Sequence, residues 1–389
     1  MTPRILYLLN VSNPGQLSAD SGWQIADQLA PALADVGAEV VVASPARAGD
    51  RRTRFERMPA PVTKYRARFD PGMGALVAVI RRTSPDVVVA NQVEAAPAVR
   101  AALIEARSSA QLACYCHYLP FSYGDGRELR VDPAMDTCGL GRPVLLAFAA
   151  GLAACDRVLV QSSTAASWVT ALGSRLTVDL GDRIRIVPPP RDERLVRDPE
   201  EVSRPHDGEM VGIYNHRLYA HYGTPRFVRL AERLTSESEA NVRLRVMDLF
   251  GVRSPERIAL DDSPERMRGQ LAALPGVDIV SDGGDRATYR TVMEGARFAL
   301  APFRPGCPWS MSVIDCQGMG LPVISPRIGW LAEHVDDELL FTTSTEALAL
   351  VDRLAGDPEF YAVHAKRAHA STAELTTPLV AARYLEAIS

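Results

Sequence analysis

The chain has 389 residues, 47% apolar and 23% charged, with a net charge of −4. That length suffices for two domains with separate cores, and the mild acidity excludes recruitment of a polyanion by bulk charge. No apolar run approaches the roughly 18 residues that a membrane span needs. Residues 5–9 are too short for a signal peptide and read as a first strand. Six cysteines (114, 116, 138, 155, 307 and 316) show no Cys-x-x-Cys pair and no ordered spacing with histidine. This argues against a zinc site or a disulfide framework and for a reducing cytoplasm.

Taken in chain order, residues 4–10 and 38–43 are short apolar strands. Between them lies a helix with Ile25, Leu29, Leu33 and Val36 on one face. Ser21, Gly22 and Trp23 open that helix, and Gly22 lets the backbone approach a ligand closely. From 47 to 68, eight basic residues (47, 51, 52, 54, 57, 64, 66 and 68) face only Asp50 and Glu56. The local charge of +6 leaves the remainder at −10. With Arg51, Arg52 and Arg54 at its centre, the cluster is a local electrostatic footprint that the net charge conceals. Further strands follow at 86–90, 111–116, 157–161 and 184–187, with His117 closing the second of these. Strands alternating with helices imply a parallel sheet with ligands beyond its carboxyl ends.

Pro188, Pro189 and Pro190 stop the series, and the charged segment 191–208 reads as an interdomain linker. Alternation resumes with strands at 210–214, 242–249, 277–280, 298–302 and 322–325. Helical patterns end the chain at 345–354 and 375–388. The expected architecture is α/β, with Rossmann-like domains at 1–190 and 209–374 and a final helix in 375–389.

Residues 298–335, FALAPFRPGCPWSMSVIDCQGMGLPVISPRIGWLAEHV, carry the densest pattern. A buried strand leads to a Pro/Gly-broken loop, a helix of about three turns, and a turn at Gly320 before a second buried strand. Ser310, Met311 and Ser312 sit at the helix start, where unpaired N–H groups and the dipole favour phosphate. Asp315, one turn on, is placed to receive a ribose diol. The whole reads as a seat for a nucleotide diphosphate. Asn215, His216 and Arg217 follow the first strand of the second domain, where a guanidinium can hold phosphate oxygens in bidentate fashion.

The same stretch resembles the donor-binding segment of retaining glycosyltransferases with the GT-B fold, especially glycosyltransferase family 4. That family's pattern is Pro-x(n)-Glu-x7-Glu-Ala-x-Ala-x-Gly-x-Pro-Val. Laid on Gly320, Pro322 and Val323, its second Glu falls on Asp315 and its first on Cys307. One carboxylate is kept in shorter form and the other is lost. The family's basic pair on the loop after the first strand of the second domain matches Arg217, while its Lys falls on Tyr222, beside His221. His117 matches a His that faces the donor sugar, and Ser21-Gly22-Trp23 matches a Gly-rich loop near the acceptor.

The resemblance implies two Rossmann-like domains facing a central cleft, and a last helix that returns to the first domain. It implies catalytic roles for His117 and Arg217. Donor contacts are expected from Gly22, Asn215, His216, Arg217, His221, Cys307, Ser310, Met311, Ser312 and Asp315, and acceptor contacts from Trp23 and the three arginines. A UDP- or GDP-sugar serves as co-substrate, with no cofactor and no metal; no Asp-x-Asp metal motif occurs in the chain. Transfer to a hydroxyl would retain anomeric configuration. Two acceptor classes stay open: a polyanion such as DNA or RNA carrying a hydroxylated base, and a small-molecule natural product. A non-catalytic GT-B-like ligand-binding protein is the reading from outside enzymology. A phosphorylase would need a cofactor lysine, and 209–330 contains none. The sequence is silent on oligomeric state.

Overall fold

The computed structural model describes residues 2–11, 15, 17, 20–61, 68–124, 128–132, 139–202, 209–248, 258–259 and 261–389. They fall into two units, Met1–Pro190 with Leu375–Ser389, and Arg191–Glu374. No helix among the described residues is long and apolar enough to cross a membrane.

The first unit contains β1 (Arg4–Leu8), β2 (Glu39–Ser44), β3 (Arg54–Arg57), β4 (Val87–Ala90), β5 (Gln111–Tyr115), β6 (Phe121–Gly124), β7 (Glu128–Val131), β8 (Arg157–Val160) and β9 (Ile184–Ile186). Seven of these form one parallel sheet in the order β3-β2-β1-β4-β5-β8-β9, and β6 and β7 form a separate antiparallel hairpin. Runs such as Val87-Val88-Val89-Ala90 are buried throughout, as strands covered on both faces must be. The covering helices are α1 (Ser21–Asp35), α2 (Met73–Thr83), α3 (Ala96–Ala106), α4 (Gly141–Ala154) and α5 (Ser163–Arg175). At the start of α1 the Asp20 side chain accepts the Trp23 N–H at 3.0 Å, and Ile25, Leu29 and Leu33 are buried below it. The chain lays β1 to β3 to one side and β4 onward to the other, so its switch point falls between β1 and β4. Leu8 pairs with Ala43 and Ala90, which levels the carboxyl ends there.

The second unit repeats the scheme with β10 (Val211–Tyr214), β11 (Arg243–Met247), β12 (Val277–Val280), β13 (Phe298–Leu300), β14 (Val323–Pro326) and β15 (Leu340–Phe341). Their order, β12-β11-β10-β13-β14-β15, is again parallel and places the switch point between β10 and β13. Helices of eight residues or more are α6 (Thr224–Glu237), α7 (Ser263–Ala272), α8 (Arg286–Glu294), α9 (Met311–Gly318), α10 (Ser344–Gly356) and α11 (Pro358–Ser371).

Three sequence expectations change. First, the helix of the densest motif has eight residues rather than three turns. Gly320 takes φ +71°, and the Leu321 N–H bonds back to the Cys316 carbonyl, which closes α9 early. Second, part of the basic segment is an edge strand, β3, whose RFER sequence lacks an apolar run. Third, 191–202 is not a free linker. Leu195 and Val202 are buried, and Asp192 pairs with Arg286 within the second unit. The remainder of that expected linker, 203–208, lies outside the described residues. The last helix, α12 (Thr377–Ile388), belongs to the first unit, where the Tyr384 ring lies 6.4 Å from that of Tyr7 and 6.0 Å from that of Tyr115.

Candidate functional site

Two groups of candidate residues are built, one at the switch point of each sheet. In the second unit, the loop after β10 is sewn to the start of α9. The Asn215 amide donates to the Tyr289 hydroxyl at 2.7 Å and to the Ser312 carbonyl at 3.3 Å. Ser312 returns the bond, its Oγ donating to the Asn215 carbonyl at 2.9 Å. His216 is buried, and its Nε2–H donates to the Leu300 carbonyl at 3.1 Å. Burial lowers its pKa to about 3, so the ring is neutral and acts as a strut to β13. Asn215 and His216, both expected to touch the donor, bond within the unit to Tyr289, Ser312 and Leu300.

Next to Asn215 and His216 in the same loop stands Arg217, half-buried, and the α9 start to which Asn215 bonds, at Ser310, Met311 and Ser312, is half-buried too. The Ser310 hydroxyl caps α9 by accepting the Val313 N–H at 3.4 Å. The arrangement suits a dianion: one guanidinium and the positive end of a helix. The neighbouring surface is aromatic, with Tyr219 stacked on His221 at 5.2 Å between centroids and Tyr222 4.9 Å from His221. The position aligned with the family's Lys is Tyr222, and the Arg304 guanidinium lies 4.5 Å over its ring. Sequence reasoning missed Arg304, because a cation from the loop after β13 has no signature in the loop after β10.

Two motif carboxylate positions behave differently from expectation. Cys307 is buried, and its thiol donates to the Trp309 carbonyl at 2.8 Å, closing its own loop. Burial raises its pKa, so it brings no charge. Asp315 is only 3% exposed. One of its oxygens accepts from Arg286 at 3.2 Å, while the other is enclosed without a partner. The carboxylate expected to meet a ribose is therefore held inside a triad. Arg286 also reaches Asp192 at 2.8 Å and lies 4.5 Å over the Tyr289 ring, the ring that receives the Asn215 amide. Arg286, Asp192 and Tyr289 had no sequence signal, since 94 residues separate the Asp192–Arg286 pair.

In the first unit, His117 and Ser21 meet, with Nε2 and Oγ 2.8 Å apart. Gly22, expected among the donor contacts, is packed so closely that a Cβ would lie 3.1 Å from the Asn91 amide nitrogen. The Trp23 indole donates to the Arg47 carbonyl at 2.8 Å. Three arginines of the basic segment are paired with carboxylates. Arg52 pairs with Asp35 at 2.7 Å and Asp50 at 2.5 Å, and Arg54 pairs with Glu56 at 3.0 Å. Arg68 is buried against Glu94 at 3.1 Å. Arg51 is exposed, and residues 64 and 66 lie outside the described residues.

A family model, Glycosyltransferase Family 4, matches residues 24–195. No curated protein matches the sequence. Among solved structures, HepE from Anabaena in complex with UDP shares 16% identity, covers 98% of both chains and superposes with a TM-score of 0.69. Sucrose-phosphate synthase from Thermosynechococcus elongatus shares 16% identity over 99% of this chain and 98% of its own, with a TM-score of 0.73. The lipopolysaccharide outer core galactosyltransferase WaaB shares 12% identity over 99% of each chain, with a TM-score of 0.60. At such identities these structures establish the fold, which is GT-B. The comparisons thus show a GT-B fold across the chain and a match to the Glycosyltransferase Family 4 model over residues 24–195.

Proposed function

We propose that the protein transfers a sugar from a nucleotide-sugar donor, such as a UDP- or GDP-sugar, to the hydroxyl of a small-molecule acceptor, with retention and without a metal. The observation that carries the reading is the reciprocal bonding of Asn215 and Ser312. It holds the Arg217 loop against the α9 start at the switch point of the second sheet. A diphosphate lodged there meets Arg217 and the α9 N–H groups, which stabilise the charge that builds as the sugar departs. The UDP complex of HepE supports such a donor. Retention follows the family resemblance, with a leaving-phosphate oxygen taking the acceptor proton. His117 is held by Ser21, with Nε2 and Oγ 2.8 Å apart. Asp315 is assigned to holding Arg286 and α9 rather than to the ribose. The small-molecule reading is preferred over the polyanion alternative because Arg52 and Arg68 take carboxylate partners from outside the basic segment, Asp35 and Glu94.

The test is release of free nucleoside diphosphate from a panel of UDP- and GDP-sugars in the presence of alcohol acceptors. Wild type should release it, and a chelator should leave the rate unchanged. Arg217→Ala should lose roughly 2 kcal/mol or more of transition-state stabilisation, about thirtyfold in rate, with an unaltered circular dichroism spectrum. Wild-type turnover in that variant would remove Arg217 from the site. Because Cys307 and Tyr222 stand where the family pattern is charged, UDP binding without any turnover would instead mark a non-catalytic binding protein.

A further inference from the structure

Beyond β1 and β4 of the first sheet lies a cavity of about 230 Å³, at that sheet's switch point. Its walls are Leu8 and Leu9 from the end of β1, Met58 from the end of β3, and a set of prolines that includes Pro45, Pro59 and Pro71. Proline has no backbone N–H, so these walls offer few donors to an anion. Among the described residues Asp70 is the one charged residue lining the cavity, and none of them that lines it is Arg, Lys or His. Arg68 lies nearby in sequence but is turned into its buried pair with Glu94.

One polar edge is built. The Asn91 Oδ1 accepts the Asn10 N–H at 2.9 Å, which fixes the amide, and both residues line the cavity. The Asn91 Nδ2 packs against Gly22, next in sequence to Ser21, whose Oγ is 2.8 Å from His117. Asn91 is thus shared between the apolar cavity and the Ser21–His117 pair.

We infer that this cavity is the acceptor pocket, and that it takes an uncharged molecule with a small aromatic or alicyclic body whose hydroxyl points to Asn91. Its role as acceptor pocket rests on the function proposed above; the chemistry of the pocket stands on its own lining. The volume fits a small ring system. Met58 supplies a polarizable contact for a ring, and the amide of Asn91 offers a hydrogen bond to its hydroxyl. A phosphate or carboxylate on the same body would be desolvated against proline and leucine beside Asp70.

The test measures binding of 2-naphthol and 4-methylumbelliferone to the full chain by titration calorimetry, with 2-naphthyl phosphate as the charged comparator and UDP as an independent ligand. Ala60 lines the cavity and is exposed, so Ala60→Trp fills the space without disturbing the core, and Ala60→Ser serves as control. Wild type and Ala60→Ser should bind the aryl alcohols, Ala60→Trp should bind them about tenfold or more weakly, and all three should bind UDP alike. The inference is overturned if neither alcohol binds wild type, if Ala60→Trp binds them within about twofold of wild type, or if 2-naphthyl phosphate binds as tightly as 2-naphthol. If the alcohols bind as expected and no UDP- or GDP-sugar is turned over, the pocket stands and the transferase reading falls. Transfer to some other acceptor without alcohol binding would mean the reverse.

Discussion

Burial pushes the Asp315 carboxyl up to about 6 against the opposing pull of Arg286, with Asp192 adding to the rise. In an unfolded chain the same group titrates near ~3.9. Between those values the folded protein holds more proton than the unfolded one, so stability falls as pH rises from about 4 to about 6. A tenfold change in proton affinity between the two states is worth ~1.4 kcal/mol, so the loss is roughly 2–3 kcal/mol. Asp315→Asn keeps the shape of the neutral form and does not titrate. The stability gap between wild type and variant, measured by urea unfolding, should therefore move in the variant's favour by roughly 2–3 kcal/mol between about pH 4 and pH 7. Asp192 runs the other way: burial opposes it, yet Arg194 and Arg286 hold it below the usual carboxylate range. Its contribution is lost as pH falls, and it is present in both proteins. A gap that stays flat across this window would mean that Asp315 titrates as an ordinary surface aspartate.

At the scale of elements, two loops are locked at one glycine. Gly223 precedes α6 with φ +79°, and a Cβ there would lie 2.3 Å from the Phe303 carbonyl oxygen. Ala would combine a strained backbone with a collision against the loop that carries Arg304 and leads to α9. Gly223→Ala is expected to lower stability by roughly 1–3 kcal/mol and to weaken UDP binding, because the Arg217 loop and the α9 start are then displaced together. Destabilisation with wild-type UDP affinity would separate the loop pair from the donor seat.

The same elements show what the sequence could reveal. Val87 to Ala90 and Phe298 to Leu300 are apolar runs that announce buried parallel strands, and Ser310 before Met311 announces a capped helix. Arg54 to Arg57 does not announce β3, because an edge strand needs neither an apolar face nor an apolar run. The counter-charges were hidden for a different reason. Asp35 and Glu94 reach the basic segment, and Arg286 reaches Asp192, only through the fold, so the +6 counted along the chain is met in space by two carboxylates from outside it.

For the molecule as a whole, the chain leaves the first unit after Pro190 and returns to it at Leu375. The core of that unit therefore includes residues of segment 375–389. Val380, Tyr384 and Ile388 from α12 are buried, and the Tyr384 ring sits within 6.4 Å of Tyr7 on the first strand. Truncating a buried aromatic side chain to alanine costs roughly 3–5 kcal/mol, a large part of the roughly 5–15 kcal/mol by which a domain is stable. Tyr384→Ala should therefore unfold the first unit at lower urea, while UDP affinity, assigned to the second unit, is kept. Trp23 and Trp168 lie in the first unit and Trp309 and Trp330 in the second. With the latter two replaced by Phe, fluorescence reports the first unit alone. A transition at wild-type urea in that background would show that α12 adds little to the core. Loss of UDP binding at denaturant-free equilibrium would show that the donor seat depends on the first unit's integrity.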